Sequence, residues 1–147
     1  MERIEKAAQS FLGGYNCAQS VAIAFADKLG MDEKTAAKIA SGFGGGFGRQ
    51  REVCGAVSGM VMVASYLYGY DAPDQEQQAE CYQLIQTLCG KFKEQNGSII
   101  CRDILKNPPS DPIPSPRTAE YYAQRPCARM VMAATEILEN YINENPA

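Results

Sequence analysis

Six cysteines and no histidine define the chemistry open to this chain. Cysteine thiolate is both a nucleophile and a soft metal ligand. Without histidine there is no Ser–His–Asp triad, no Cys–His nucleophile pair and no histidine-ligated metal. What remains is thiol–disulfide exchange, or a metal held by sulfur. Cys17, Cys54, Cys101 and Cys127 each fall where a helix is expected to begin. A helix N-terminus offers unpaired amide donors and roughly half a positive charge, and both favour thiolate over thiol. Arg51, Arg102, Arg125 and Arg129 lie within three residues of a member of this set, and no lysine does. An arginine beside a cysteine supports its thiolate.

Cys81 and Cys89 read differently. They share a stripe with Leu84, Ile85, Leu88 and Phe92 and lie about 80° apart around a helix of 3.6 residues per turn. A free cysteine is a common small buried hydrophobe, so these two are expected to be structural. The candidate site therefore has four cysteines, not six.

The run from Gly42 to Gly59, GFGGGFGRQREVCGAVSG, invites comparison with phosphate loops. It contains neither GxxxxGK[ST] nor a GxGxxG between a strand and a helix. Its backbone amides could still face an anion, but the βαβ context of a nucleotide site is missing. The glycines are better explained as a sharp turn that brings Cys54 close to other helix starts.

The elements that must position these residues read as helices throughout, so an all-α fold is expected: a bundle of about six or seven helices around a central buried one. Ile4, Ala7, Ala8, Phe11 and Leu12 share a face of a first helix. Asn16 and Gln19 have capping-box spacing, which predicts a second helix from Cys17 to about Leu29, closed by Gly30. Asp32 caps a third that stops at Gly42. The fourth, from about Val53 to Tyr68, is uncharged but shorter and more polar than a membrane span, and it reads as the buried centre. Gly55 with Gly59, and Ala18 with Ala22 and Ala26, form small-residue stripes suited to close helix packing. A fifth helix covers about Ala72 to Gln95 and a short sixth about Ile99 to Lys106. NPPSDPIPSP forbids regular helix. A turn at 119–124 then leads to a last helix that starts at Pro126 and runs to about Asn143.

The 147 residues suit one domain, and the composition, 46% hydrophobic and 21% charged, is that of a globular protein. A net charge of −3 without a basic run argues against nucleic acid as partner. The N-terminus lacks the apolar core of a signal peptide, so a cytoplasmic location with reduced thiols is expected.

The segments GGYNCAQSVAIAFADKLG, SGFGGGFG, EVCGAVSGMVMV, GSIICRDIL and RPCARMVMAATEIL together resemble the small redox-active proteins named for a C…GCAxxG…C…C pattern. Here the motif reads Cys54-Gly55-Ala56-Val57-Ser58-Gly59. The likeness is strongest from Gly13 to Gly59 and weakest in the proline segment, which resembles a variable insertion. The four named cysteines map onto Cys17, Cys54, Cys101 and Cys127, and Cys81 and Cys89 fall outside the pattern. The resemblance implies redox activity or a metal centre.

Three readings follow. In the first the four cysteines bind an iron–sulfur cluster or another metal for electron transfer, zinc being the other candidate ion. The absence of a CxxC knuckle distinguishes such a site from most structural zinc sites and ferredoxin loops. In the second the protein is a metal-free thiol–disulfide carrier. In the third it is a non-enzymatic interaction protein that senses metal or redox state. An electron-transfer partner protein follows from the first, and a C2 homodimer is the simplest oligomer.

Overall fold

The caps expected from the sequence form in the structure, a computed structural model that describes residues 2–106, 108–124 and 126–147. After α1 (Glu2–Leu12), the Asn16 side chain accepts the Gln19 amide at 2.9 Å, and the Gln19 side chain accepts the Asn16 amide at 3.1 Å. This capping box starts α2 at Cys17. The expected second helix is interrupted at Phe25, giving α2 (Cys17–Ala24) and a single turn, α3 (Ala26–Leu29), which Gly30 closes with φ 67°. Asp32 caps α4 (Glu33–Ala40) by accepting the Thr35 amide at 2.7 Å. A 3-10 turn (Ser41–Phe43) and the one-turn α5 (Gly44–Phe47) follow.

The expected fourth helix begins two residues late: α6 spans Gly55–Tyr68, with Cys54 at its cap. Next come α7 (Gln75–Asn96), capped by Asp74, and α8 (Cys101–Leu105). Residues 108–118 hold no regular element, as their prolines require. The turn expected at 119–124 is instead a helix, α9 (Ala119–Gln124). The last helix, α10 (Cys127–Glu144), starts just after Pro126 rather than on it. The all-α expectation is met. The described residues contain one isolated antiparallel bridge, between Val53 and Ile100, and no helix long and apolar enough to cross a membrane.

α6 is central as expected, with Ala56, Val57, Met60, Val63 and Ala64 buried. It packs on α2, α7 and α10. Phe11, Phe25, Leu88, Phe92 and Leu138 close the core around it. Burying each such side chain stabilises the fold by about 1.5–3 kcal/mol. The decisive contact is tighter. A Cβ on Gly59 would come within 2.9 Å of the Ala18 carbonyl oxygen and of the Val21 Cβ. One on Gly55 would lie 3.2 Å from the Ala18 nitrogen and the Cys17 Cβ. The backbones of α2 and α6 therefore touch, and the two helix starts bearing Cys17 and Cys54 are neighbours.

Two glycine substitutions test this packing. Gly59→Ala should destabilise the protein by about 1–3 kcal/mol, because a methyl group is forced against backbone. Gly90→Ala, in mid-α7 with no atom within 4 Å of the added Cβ, should stabilise by up to about 1 kcal/mol. Denaturant midpoints of the two variants, moving in opposite directions from the parent, check both signs.

Candidate functional site

The glycine turn has an unusual backbone. Gly45, Gly46, Phe47, Gly48, Arg49 and Arg51 all have positive φ. At Gly46 the turn tolerates nothing larger, since a Cβ would come within 2.4 Å of the Glu52 nitrogen. The amides of Arg49, Arg51 and Glu52 donate back to the carbonyls of Gly44, Gly45 and Gly46, which folds the turn onto itself. Left-handed φ at Phe47, Arg49 and Arg51 costs each roughly 1–2 kcal/mol. In return, Arg49 and Arg51 line the same cavity as the cysteines.

The turn delivers the chain to the bridge. The Cys54 amide donates to Ile99 O at 2.7 Å, and the Cys101 amide donates to Glu52 O at 2.6 Å. These bonds set the starts of α6 and α8 side by side. Arg102 reinforces them by donating Nε to Arg51 O at 3.1 Å and pairing with the Glu52 carboxylate. On the other side, α10 packs against α2 and α6, which brings Cys127 to the same place.

The result is a cavity of about 330 Å³ lined by Cys17, Cys54, Cys101 and Cys127. Three of the four are the first residue of a helix, and Cys54 is the residue before one. Cys54, Cys101 and Cys127 are buried, and Cys17 is partly exposed. Cys81 and Cys89 sit on α7 away from this cavity, Cys81 buried and Cys89 half-buried. Of the arginines singled out from the sequence, Arg51 reaches a sulfur: its Nη1 donates to Cys101 Sγ at 3.6 Å. Arg102 pairs outward with Glu52, Arg129 borders a separate surface depression with Cys89, and Arg125 lies outside the described residues.

The electrostatics reverse one expectation. Helix starts were expected to favour thiolates, yet the Cys17 and Cys54 thiols resist ionisation. Cys17 is held well above the ordinary thiol range by a hydrogen bond to Cys127, then by burial, then by the other cavity cysteines. Cys54 is pushed up to about 12, chiefly by burial. The amides of Ala56 and Val57 pull the other way at Cys54 but do not compensate. Desolvation wins because a lone anion in a dry cavity loses more hydration than two amide dipoles return.

Two contributors were invisible in the sequence. The proline segment, expected as an insertion, covers the cavity with Pro112, Pro114 and Ser115 and supplies Arg117. Arg117 donates to Phe11 O at 3.0 Å and to Tyr15 O at 3.1 Å, and its guanidinium lies 4.6 Å from the Phe11 ring centre. Arg51 Nε donates to Pro109 O at 2.9 Å, and Arg49 donates to the Ile113 carbonyl. The segment is thus tied down from both ends of the cavity. NPPSDPIPSP offers no periodicity from which that role could be read.

The Cys54 shift has a consequence for stability. Its folded pKa is raised, so the folded state keeps a proton that the unfolded chain releases above the ordinary thiol value of about 8.5. The stabilisation is complete below that value and is lost as pH rises toward about 12. In metal-free protein, the denaturant midpoint should fall over this alkaline window more steeply than in Cys54→Ser, which has no thiol to titrate there. Equal slopes would contradict the shift.

Residues 15–141 match the model of the family described as "Putative redox-active protein (C_GCAxxG_C_C)". The match takes in all four cavity cysteines and also the proline segment. No curated protein and no solved structure gives a significant match. With the family model spanning most of its length and the cysteines of the pattern gathered on one cavity, the chain belongs to the C_GCAxxG_C_C redox-active family.

Proposed function

We propose that this protein is an electron-transfer protein in which Cys17, Cys54, Cys101 and Cys127 hold an iron–sulfur cluster. The observation that supports it is one cavity lined by four cysteines, in which burial and the neighbouring thiols raise the pKa of Cys17 and Cys54. Thiolates are soft donors suited to iron–sulfur clusters and zinc, and a metal deprotonates a coordinating thiol outright. The upward shifts that disfavour a bare thiolate nucleophile are those that metal binding reverses.

Donor type alone does not choose between zinc and a cluster. A single tetrahedral ion with sulfur bonds of about 2.3 Å would draw four sulfurs to within about 4 Å of one another. Among the described residues, no three cysteine, aspartate or glutamate side chains stand in such an ion-holding arrangement. A cavity of about 330 Å³ lined by four cysteines has room for an inorganic cluster. Bound there, an iron–sulfur cluster supplies one-electron chemistry. The chain's own part is to hold it and exclude water. Arg51, donating to Cys101 Sγ, would offset part of its negative charge.

The thiol–disulfide reading is favoured by one separate observation, the hydrogen bond between Cys17 and Cys127. That contact makes this pair the first to oxidise in metal-free protein.

Anaerobic purification or reconstitution with iron and sulfide should give a coloured protein with visible charge-transfer absorption. Cys54→Ser should lose at least about tenfold of the bound iron, while Cys81→Ser should keep it and lose only about 1–2 kcal/mol of stability. Colourless protein after reconstitution, combined with reversible loss of two thiols on oxidation, would transfer the assignment to the Cys17–Cys127 disulfide. Equal iron loss in both variants would overturn the four-cysteine set.

A further inference from the structure

We propose that the cysteine cavity also binds a small oxygen anion, a carboxylate or an inorganic oxyanion, against a wall formed by Arg49, Arg51 and Arg117. The argument is one of unbalanced charge. All three arginines line the cavity, and no aspartate or glutamate does so among the described residues. Three cations elsewhere have carboxylate partners: Arg3 with Asp27, Lys6 with Glu33 and Arg102 with Glu52. None of the three cavity arginines forms an ion pair among the described residues.

Arg51 is the sharpest case. It is only 6% exposed, and its bonds go to a carbonyl oxygen and to a cysteine sulfur, neither of them a carboxylate. Burying a guanidinium without an anion is costly, and an anion entering the cavity would offset that cost. Arg49 adds a second sign. Its Nε is buried and has no hydrogen-bond partner among the described residues, although a buried donor is almost always satisfied. The left-handed backbone at both arginines shows that the turn accepts strain to hold them there. Asn16, Ser41 and Ser115 put further polar side chains on the same lining.

The charge balance does not depend on what the sulfurs hold. With protonated thiols, the three guanidinium charges stand alone. With a four-thiolate iron–sulfur or zinc centre of formal charge about −2, the wall remains net positive. The volume, about 330 Å³, is at the lower end of small-molecule pockets and more than twice a cavity that takes benzene. A guanidinium fork matches carboxylates and tetrahedral oxyanions alike. This inference goes beyond the electron-transfer reading and survives its failure.

The test uses two alkylating agents of like size, iodoacetate and neutral iodoacetamide, on the metal-free full-length protein, with modification of each cysteine followed by mass spectrometry. At Cys17, the most exposed of the four, the rate ratio of iodoacetate to iodoacetamide should exceed that at Cys89 by about tenfold. It should fall to the Cys89 value in Arg51→Gln or Arg49→Gln and survive in Arg51→Lys. Because the ratio is taken within each variant, a general loosening of the fold cancels. Sulfate and malonate at matched ionic strength identify the source. Protection by sulfate assigns inorganic oxyanions, and protection by malonate assigns carboxylates. A preference for iodoacetate that neither relieves assigns monocarboxylates such as the probe itself. An equal ratio at Cys17 and Cys89, or one indifferent to both Arg→Gln changes, would overturn the proposal. Iron content, measured separately, reports on the cluster and not on this site.

Discussion

Gly55 and Gly59 let α6 lie directly on α2, and the geometry of the cavity follows from that contact. With ordinary side chains there, the added atoms would press on the α2 backbone at Ala18 and the two helices would have to shift apart. Cys17 and Cys54 would separate with them. The bridge between Val53 and Ile100 then extends the arrangement from two helix starts to three, because it ties the chain just before Cys54 to the chain just before Cys101. α10 completes it by packing on both α2 and α6. The site is therefore assembled by tertiary contacts between elements far apart in sequence. No local loop of ligands exists to nucleate it.

The same burial that assembles the site makes it electrostatically demanding. The Cys17 and Cys54 thiols, which cannot ionise cheaply, share the cavity with guanidinium groups that have no carboxylate partner among the described residues. Cations and latent anions in one largely desolvated volume favour states in which negative charge enters or is created there. A metal–thiolate centre creates it on sulfur, and an anionic ligand brings it in. Helix dipoles orient this preference but do not satisfy it, since at Cys54 two helix amides fail to offset burial.

Covering the cavity falls to the least regular part of the chain. Its prolines bar helix, which leaves backbone carbonyls of residues 109 and 113 free of helical bonding and available to Arg51 and Arg49. Arg117 anchors the far end by cation–π contact with Phe11 and by two carbonyl bonds at the α1–α2 turn. A segment without secondary structure is thus specified by arginines reaching it from the strained glycine turn and by one arginine of its own.

The sequence by itself determined the helices and the identity of the cysteine set. Caps are local: Asn16 with Gln19, Asp32 and Gly30 act within four residues of the helix ends they define, so their spacing could be read directly. The helix start at Cys17 follows from such a local rule, whereas those at Gly55, Cys101 and Cys127 carry no side-chain cap. The small-residue stripes on Ala18 and on Gly55–Gly59 announced close packing. The break at Phe25 was not announced, because it carries no glycine, proline or side-chain cap. The segment 119–124 was expected as a turn although Thr118 caps it by accepting the Tyr121 amide at 3.1 Å. The cavity was decided only in three dimensions. Which arginine meets which sulfur depends on the left-handed turn at 45–51 and on the Val53–Ile100 bridge, so proximity in sequence selected Arg51 correctly and Arg102 and Arg129 wrongly. Arg49 and Arg117 reach the cysteines only through folding, and the raised pKa values exist only once water has been excluded from them. Desolvation is a property of the assembled volume, and no local pattern of residues encodes it.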